Sequence, residues 1–104
     1  MASKKEYLDY ILDQLSPLGE VTFRRMMGEY ILYYQGKIIG GIYDDRFLVK
    51  RTRAAERLMP DAAPQTPYPG AKEMLLVDNV DDPAFLKRLL RAMADEPPDG
   101  RGAR

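Results

Sequence analysis

Neither histidine nor cysteine occurs among the 104 residues of this chain. Without histidine, Ser-His-Asp and Cys-His nucleophile arrangements are excluded. The common zinc sites go with them, because their ligands are mainly cysteine and histidine. Disulfides are excluded as well, and a reducing cytoplasm is the expected compartment. Only carboxylates, lysines and tyrosines remain as general acids or bases, so no enzymatic activity, cofactor or metal is expected. No apolar run approaches the ~18 residues of a membrane helix, and Met1-Ala2-Ser3-Lys4-Lys5-Glu6 has no apolar segment of a secretory signal, so no membrane association is expected. A phosphate loop is missing: Gly40-Gly41 is not G-x-G-x-x-G, and no G-K-[S/T] occurs. A basic excess is missing too, since 16 Lys and Arg balance 16 Asp and Glu. Residues 1–60 are +2 and residues 61–104 are −2, too small an asymmetry to argue for DNA binding.

What is present fits one globular domain, at 45% hydrophobic and 31% charged residues. Ser3-Lys4-Lys5-Glu6 has the form of a capping box. Tyr7, Leu8, Ile11, Leu12 and Leu15 then recur at helical spacing. Ser16-Pro17-Leu18-Gly19 ends that helix. Val21 and Phe23 alternate with Thr22 and Arg24 as in a strand, and Gly28 breaks the run. Tyr30-Ile31-Leu32-Tyr33-Tyr34 is rich in strand formers. Gln35-Gly36 makes a short turn into Lys37–Tyr43, a strand expected to be bulged or closely approached at Gly40-Gly41. Asp44-Asp45 turns into Arg46–Lys50. These short turns imply an antiparallel meander.

Thr52 caps a short helix through about Met59, and Pro60 stops it. Residues 60–70, with four prolines, read as a loop without regular structure. Glu73–Val77 reads as a strand, and Asp82-Pro83 starts a helix carrying Phe85, Leu86, Leu89, Leu90 and Met93 on one face. The expected fold is α+β: an antiparallel sheet of about five strands with helices packed on it, in the order α-β-β-β-β-α-β-α. The domain spans residues 1–95, and residues 96–104 form a disordered tail.

Candidate chemistry is sparse. Asp44-Asp45 suits a turn, and Asp78-Asn79-Val80-Asp81-Asp82 suits a turn plus helix cap; it lacks the spacing of a calcium loop. Glu20 and Glu29 have no partner visible in the sequence. Arg24, Arg25, Arg46, Lys50, Arg51, Arg53 and Arg57 are basic, and with Tyr30, Tyr33, Tyr34 and Tyr43 they could build a surface that holds phosphates and stacks bases. The blander reading has the tyrosines filling the core edge and the arginines solvating a face. Met26-Met27 reads as core filler or as a pliable contact surface.

The segments Phe23-Arg24-Arg25-Met26-Met27-Gly28-Glu29-Tyr30, Tyr33-Tyr34-Gln35-Gly36-Lys37 and Ile42-Tyr43-Asp44-Asp45-Arg46-Phe47-Leu48-Val49-Lys50 together resemble the N-terminal domain of the TfoX/Sxy competence regulators. Pro67-Tyr68-Pro69-Gly70-Ala71-Lys72 and Met74 match that family's aromatic-proline segment. Met27 stands where the family has an aromatic, Glu29 where it has a glycine, and Gln35-Gly36-Lys37 for its D-G-K turn. The resemblance covers about residues 5–95 and is specific in combination. It implies an α+β fold and a bacterial regulatory role without known enzymatic activity. In the family this is tied to expression of DNA-uptake genes, in co-activation with a cyclic-AMP-responsive transcription factor. The helix-hairpin-helix-like C-terminal half of full-length regulators is not present, so a standalone N-terminal domain is expected.

The leading expectation is therefore a protein-interaction module with a protein partner, such as the transcription machinery, or a homodimer. Its interaction surface is expected to draw on Arg24, Arg25, Met26, Met27, Tyr30, Lys50, Arg51, Arg53 and Arg57. Nucleic-acid binding through a basic, tyrosine-rich sheet face ranks second. A small-ligand protein or enzyme using Asp44, Asp45 and tyrosines ranks third.

Overall fold

A computed structural model describes residues 3–96. The first helix, α1 (Lys5–Gln14), runs into a 3₁₀ turn (Ser16–Leu18). Four strands follow: β1 (Val21–Met26), β2 (Glu29–Tyr34), β3 (Lys37–Ile42) and β4 (Phe47–Lys50). Then come α2 (Arg53–Leu58), β5 (Pro64–Gln65), β6 (Met74–Leu76) and α3 (Pro83–Ala94). The expected order holds with one correction: Pro64-Gln65, placed by sequence in an irregular loop, adds a short sixth strand against Leu75 and Met74. It lies at the sheet edge, where a proline without an N–H is tolerated. The disordered tail expected from residue 96 lies outside the described residues except for Glu96. The Glu96 carboxylate accepts the Ala54 amide at 3.1 Å.

The sheet is antiparallel throughout, in the order β1-β2-β3-β4-β6-β5. Three consecutive connections are two-residue turns with both residues at positive φ: Met27-Gly28, Gln35-Gly36 and Asp44-Asp45. That is the type I′ geometry, whose twist matches the strands it joins. In the third turn Tyr43 and Arg46 exchange both backbone hydrogen bonds, at 2.9 and 3.0 Å.

Strand alternation gives the sheet two unlike faces. Tyr30, Leu32, Tyr34, Ile42, Phe47, Val49 and Leu75 face one side. There they bury against Leu8, Ile11 and Leu15 of the α1 end and Leu86, Leu89, Leu90 and Met93 of α3, with Ala54 and Ala55 of α2. The helical spacings read from sequence are these buried stripes. The capping box is not formed, however: Lys4 is the N-cap without a side-chain bond, because Ser3 is engaged elsewhere. Thr52 and Asp82 do cap their helices, accepting from Ala55 and Phe85.

The glycine pair behaves as expected. Leu32 pairs with Gly40 but Tyr33 with Ile38, so Ile39 bulges out of register into the core. A Cβ on Gly40 would lie 2.1 Å from the Leu48 carbonyl oxygen. One on Gly41 would lie 2.4 Å from the Tyr30 carbonyl oxygen and 2.7 Å from the Tyr43 ring, which covers Gly41 on the second face. Tyr68 of the proline-rich segment packs beside Tyr43, with ring centroids 6.3 Å apart. Leu48, also on the second face, is fully buried. No helix among the described residues is long and apolar enough to cross a membrane.

Candidate protein-interaction edge

β1 forms one end of the sheet, and among the described residues no strand pairs with its outer side. The free backbone groups on that side follow from the hairpin. The pair closing a two-residue turn exchanges both bonds, as Tyr43 and Arg46 do, so Met26 and Glu29 are bonded to each other. Alternation then directs the N–H and C=O of Met26, Arg24 and Thr22 toward β2. The bond from the Gln35 amide to the Glu20 carbonyl, 3.0 Å, continues the same parity. Val21, Phe23 and Arg25 therefore present three N–H and three C=O groups outward.

The side chains of this edge are a mixture of apolar and charged groups. Five of its six residues are exposed. Phe23 is 40% exposed on the helix-bearing side and meets Tyr30 edge-on, with centroids 5.9 Å apart. Met26 is 38% exposed, and Met27, at the turn tip, is 95% exposed. Beside the edge, between β1 and the end of α1, lies an open cleft of about 450 Å³ whose lining includes Leu12, Leu15, Val21 and Phe23.

Several of the residues expected on an interaction surface are thus placed together: Arg24, Arg25, Met26 and Met27. Arg24 and Arg25 point to opposite faces of β1, as strand alternation requires. Tyr30 is corrected, because it lies in the core and meets solvent only weakly. Lys50, Arg51, Arg53 and Arg57 form a separate group at the β4–α2 junction. β2 and β3 stand between them and β1, a gap of about 14 Å at the usual strand spacing. Arg51 is already occupied, donating to Glu56 and Glu73 at 2.8 Å each. The hydrogen bond to Glu56, then both carboxylate charges, raises its pKa further. The tyrosine-rich face is not assembled either: Tyr34 is in the core, Tyr43 is buried over Gly41, and Tyr33 is half-buried on the second face.

The acidic residues are structural in placement. Glu29, without a visible partner in sequence, accepts the Asp44 amide through both oxygens and the Ser3 hydroxyl at 2.5 Å. Ser3 in turn accepts the Asp45 amide at 3.0 Å, and Asp45 accepts the Lys4 amide at 2.8 Å. Glu20 accepts from Gln35 Nε2. This network pins the start of α1 to two hairpin turns. Among the described residues no three acidic side chains converge in a metal-binding group. Burial raises the Tyr7 and Tyr43 pKa values, with Asp45 adding for Tyr7 and Tyr68 adding for Tyr43.

β1 itself is legible as a strand, but its edge position is not, because strand order is set by distant pairings. The one signal was the adjacent Arg24-Arg25, since charged residues are a common guard on exposed edges.

Comparison with known proteins agrees with this architecture. The chain is 38% identical over 96 residues to an uncharacterized 12.7 kDa protein in the trpE 5′ region of Spirochaeta aurantia, covering 90% of this chain and 83% of that one. No solved structure matches. Residues 13–94 match the TfoX N-terminal domain, and on that match the chain belongs to the TfoX N-terminal domain family.

Proposed function

We propose that this domain is a non-enzymatic, cytoplasmic regulatory module that works by binding another protein through the β1 edge and the Met26-Met27 tip. The observation that carries the reading is the outward row of backbone groups on Val21, Phe23 and Arg25, flanked by exposed Phe23, Met26 and Met27. A strand edge of this kind binds by adding a strand, with main-chain bonds supplying affinity and alternate side chains supplying specificity. Family membership supports a link to competence, with the transcription machinery as the class of partner.

A photo-crosslinking side chain at Phe23 or Met27, compared with one at the remote exposed Asp61, tests this in cells. The expected result is a discrete crosslinked protein product from the first two positions only. Equal labelling from all three, or none from any, overturns the reading.

A further inference from the structure

We propose that the β1 edge takes an extended acidic segment of another protein, with two adjacent acidic side chains beside Arg24 and Arg25 and apolar ones beside Phe23 and Val21. This deepens the interaction reading above and rests on it. The edge is unevenly charged. Arg24 and Arg25 are both exposed, and neither forms an ion pair among the described residues. Being adjacent, they stand on opposite faces of β1. A strand laid alongside therefore meets positive charge on both of its faces at one place. Two consecutive acidic residues answer that arrangement, because neighbours in a strand also alternate between faces. Opposite charges directly across a strand pair stabilise it, and like charges oppose it. The two arginines thus admit an acidic strand and reject a basic one.

The rest of the edge is apolar on its helix-bearing side. Phe23 is exposed there, and Val21 is half-buried at the cleft it forms with Leu12 and Leu15. An apolar residue opposite Phe23 covers its ring, and one opposite Val21 reaches the cleft. Glu20 precedes Val21 and accepts Gln35 Nε2 at 3.1 Å, so the acidic end of the added strand belongs at the arginines. Every pairing in this sheet is antiparallel, the more stable arrangement per residue. The acids therefore come first in the segment. Its order is acidic, acidic, apolar, any, apolar, facing Arg25, Arg24, Phe23, Thr22 and Val21 in turn. The first, third and fifth residues then exchange both bonds with Arg25, Phe23 and Val21, and all six outward backbone groups are satisfied. The contact is small, so binding is weak and reversible.

A dye-labelled peptide, Gly-Glu-Glu-Phe-Thr-Leu-Gly, tests this by fluorescence anisotropy at low salt. The unaltered chain should bind it saturably, and affinity should fall as salt rises. Replacing both peptide Glu by Lys, or making Arg24→Glu with Arg25→Glu in the protein, should weaken binding at least ~10-fold. The Lys peptide should recover binding to the charge-reversed protein. Methylating the amide nitrogen of the peptide Phe, whose N–H faces β1, should weaken binding about tenfold. Methylating that of the peptide Thr, whose N–H faces away, should not. Equal effects of the two methylations overturn strand addition. Equal affinity for the Glu and Lys peptides overturns the selection of acids, and tighter binding of the reversed-order peptide overturns the direction. A single-stranded oligonucleotide that binds more tightly than the peptide, and is lost on the same charge reversal, assigns the arginines to phosphates and overturns the proposal. If no peptide binds saturably but position 23 still crosslinks a discrete protein in cells, only the acidic segment falls and the interaction reading stands. Loss of both results removes both.

Discussion

The Glu29 carboxylate accepts the backbone amide of Asp44 through both oxygens, at 3.2 and 3.1 Å. Asp44 has φ +55, a left-handed conformation that carries a steric cost for a residue with a Cβ. The carboxylate thus holds a strained turn, and through Ser3 it holds the start of α1 to the same turn. Glu29→Ala should destabilise the fold by about 1–3 kcal/mol, because it removes two exposed bonds from the Asp44 amide and leaves the part-buried Ser3 hydroxyl without its charged acceptor. Ser3→Ala should cost less, and the two losses should not add, because both act on one network. Urea unfolding of the single and double variants measures this, and strict additivity contradicts it.

Space and conformation are separable at the glycines. Gly41→Ala should cost about 3 kcal/mol or more, since the new Cβ meets backbone oxygen of Tyr30 and the covering Tyr43 ring. Gly36→Ala meets nothing within 4 Å but sits at φ +80, so its cost is conformational, about 1 kcal/mol. Thermal unfolding of the two proteins should show the first losing several times more than the second. Equal losses would mean that the strands part to admit the methyl group.

At the β4–α2 junction a modest-looking cap should outweigh two short ion pairs. Thr52→Ala removes the hydroxyl that accepts the Ala55 amide and should cost about 1 kcal/mol at any salt concentration. Arg51→Ala removes both exposed bridges to Glu56 and Glu73 and should cost less than the loss of the cap, shrinking as salt rises. Denaturation midpoints at low and high ionic strength discriminate the two. A larger, salt-sensitive loss for Arg51→Ala reverses the ranking.

Alkaline stability should be set partly by Tyr7 and Tyr43. Burial raises both pKa values above 10, so the folded chain holds these protons more tightly than the unfolded chain does. Their contribution is complete below pH 10 and is lost as pH rises from there through the folded values. The melting temperature should therefore fall above pH 10. Tyr43→Phe, which keeps the ring over Gly41, should flatten part of that fall. An unchanged alkaline slope in this variant would assign the loss to other groups.

Much of the fold was written locally. The stripe Leu8, Ile11, Leu15, the caps Thr52 and Asp82, and the turns Gln35-Gly36 and Asp44-Asp45 each depend on residues a few positions apart. Ser3 shows where such reasoning fails: its capping-box spacing is correct, but Glu29, distant in sequence, captures its hydroxyl. Pro64-Gln65 fails similarly, since only the presence of β6 beside it makes it a strand. The candidate edge was half legible. Arg24 through Met27 could be singled out by composition, but Tyr30 could not be removed from the surface until the register set it opposite Ile42. The basic residues looked like one patch because Lys50, Arg51, Arg53 and Arg57 are close in sequence, whereas the sheet order separates them from Arg24 and Arg25.

The three two-residue turns have a kinetic consequence. Each lets a strand find its neighbour by closing the shortest available loop, so β1 through β4 can assemble with little chain search. β6 is different: Leu48 must wait for Leu76, which arrives only after α2 and the proline-rich segment have been traversed. The meander is thus the part of the molecule that can form early. By the same reasoning the docking of β6 and α3 should come later, completing the core that holds Phe47 and Val49.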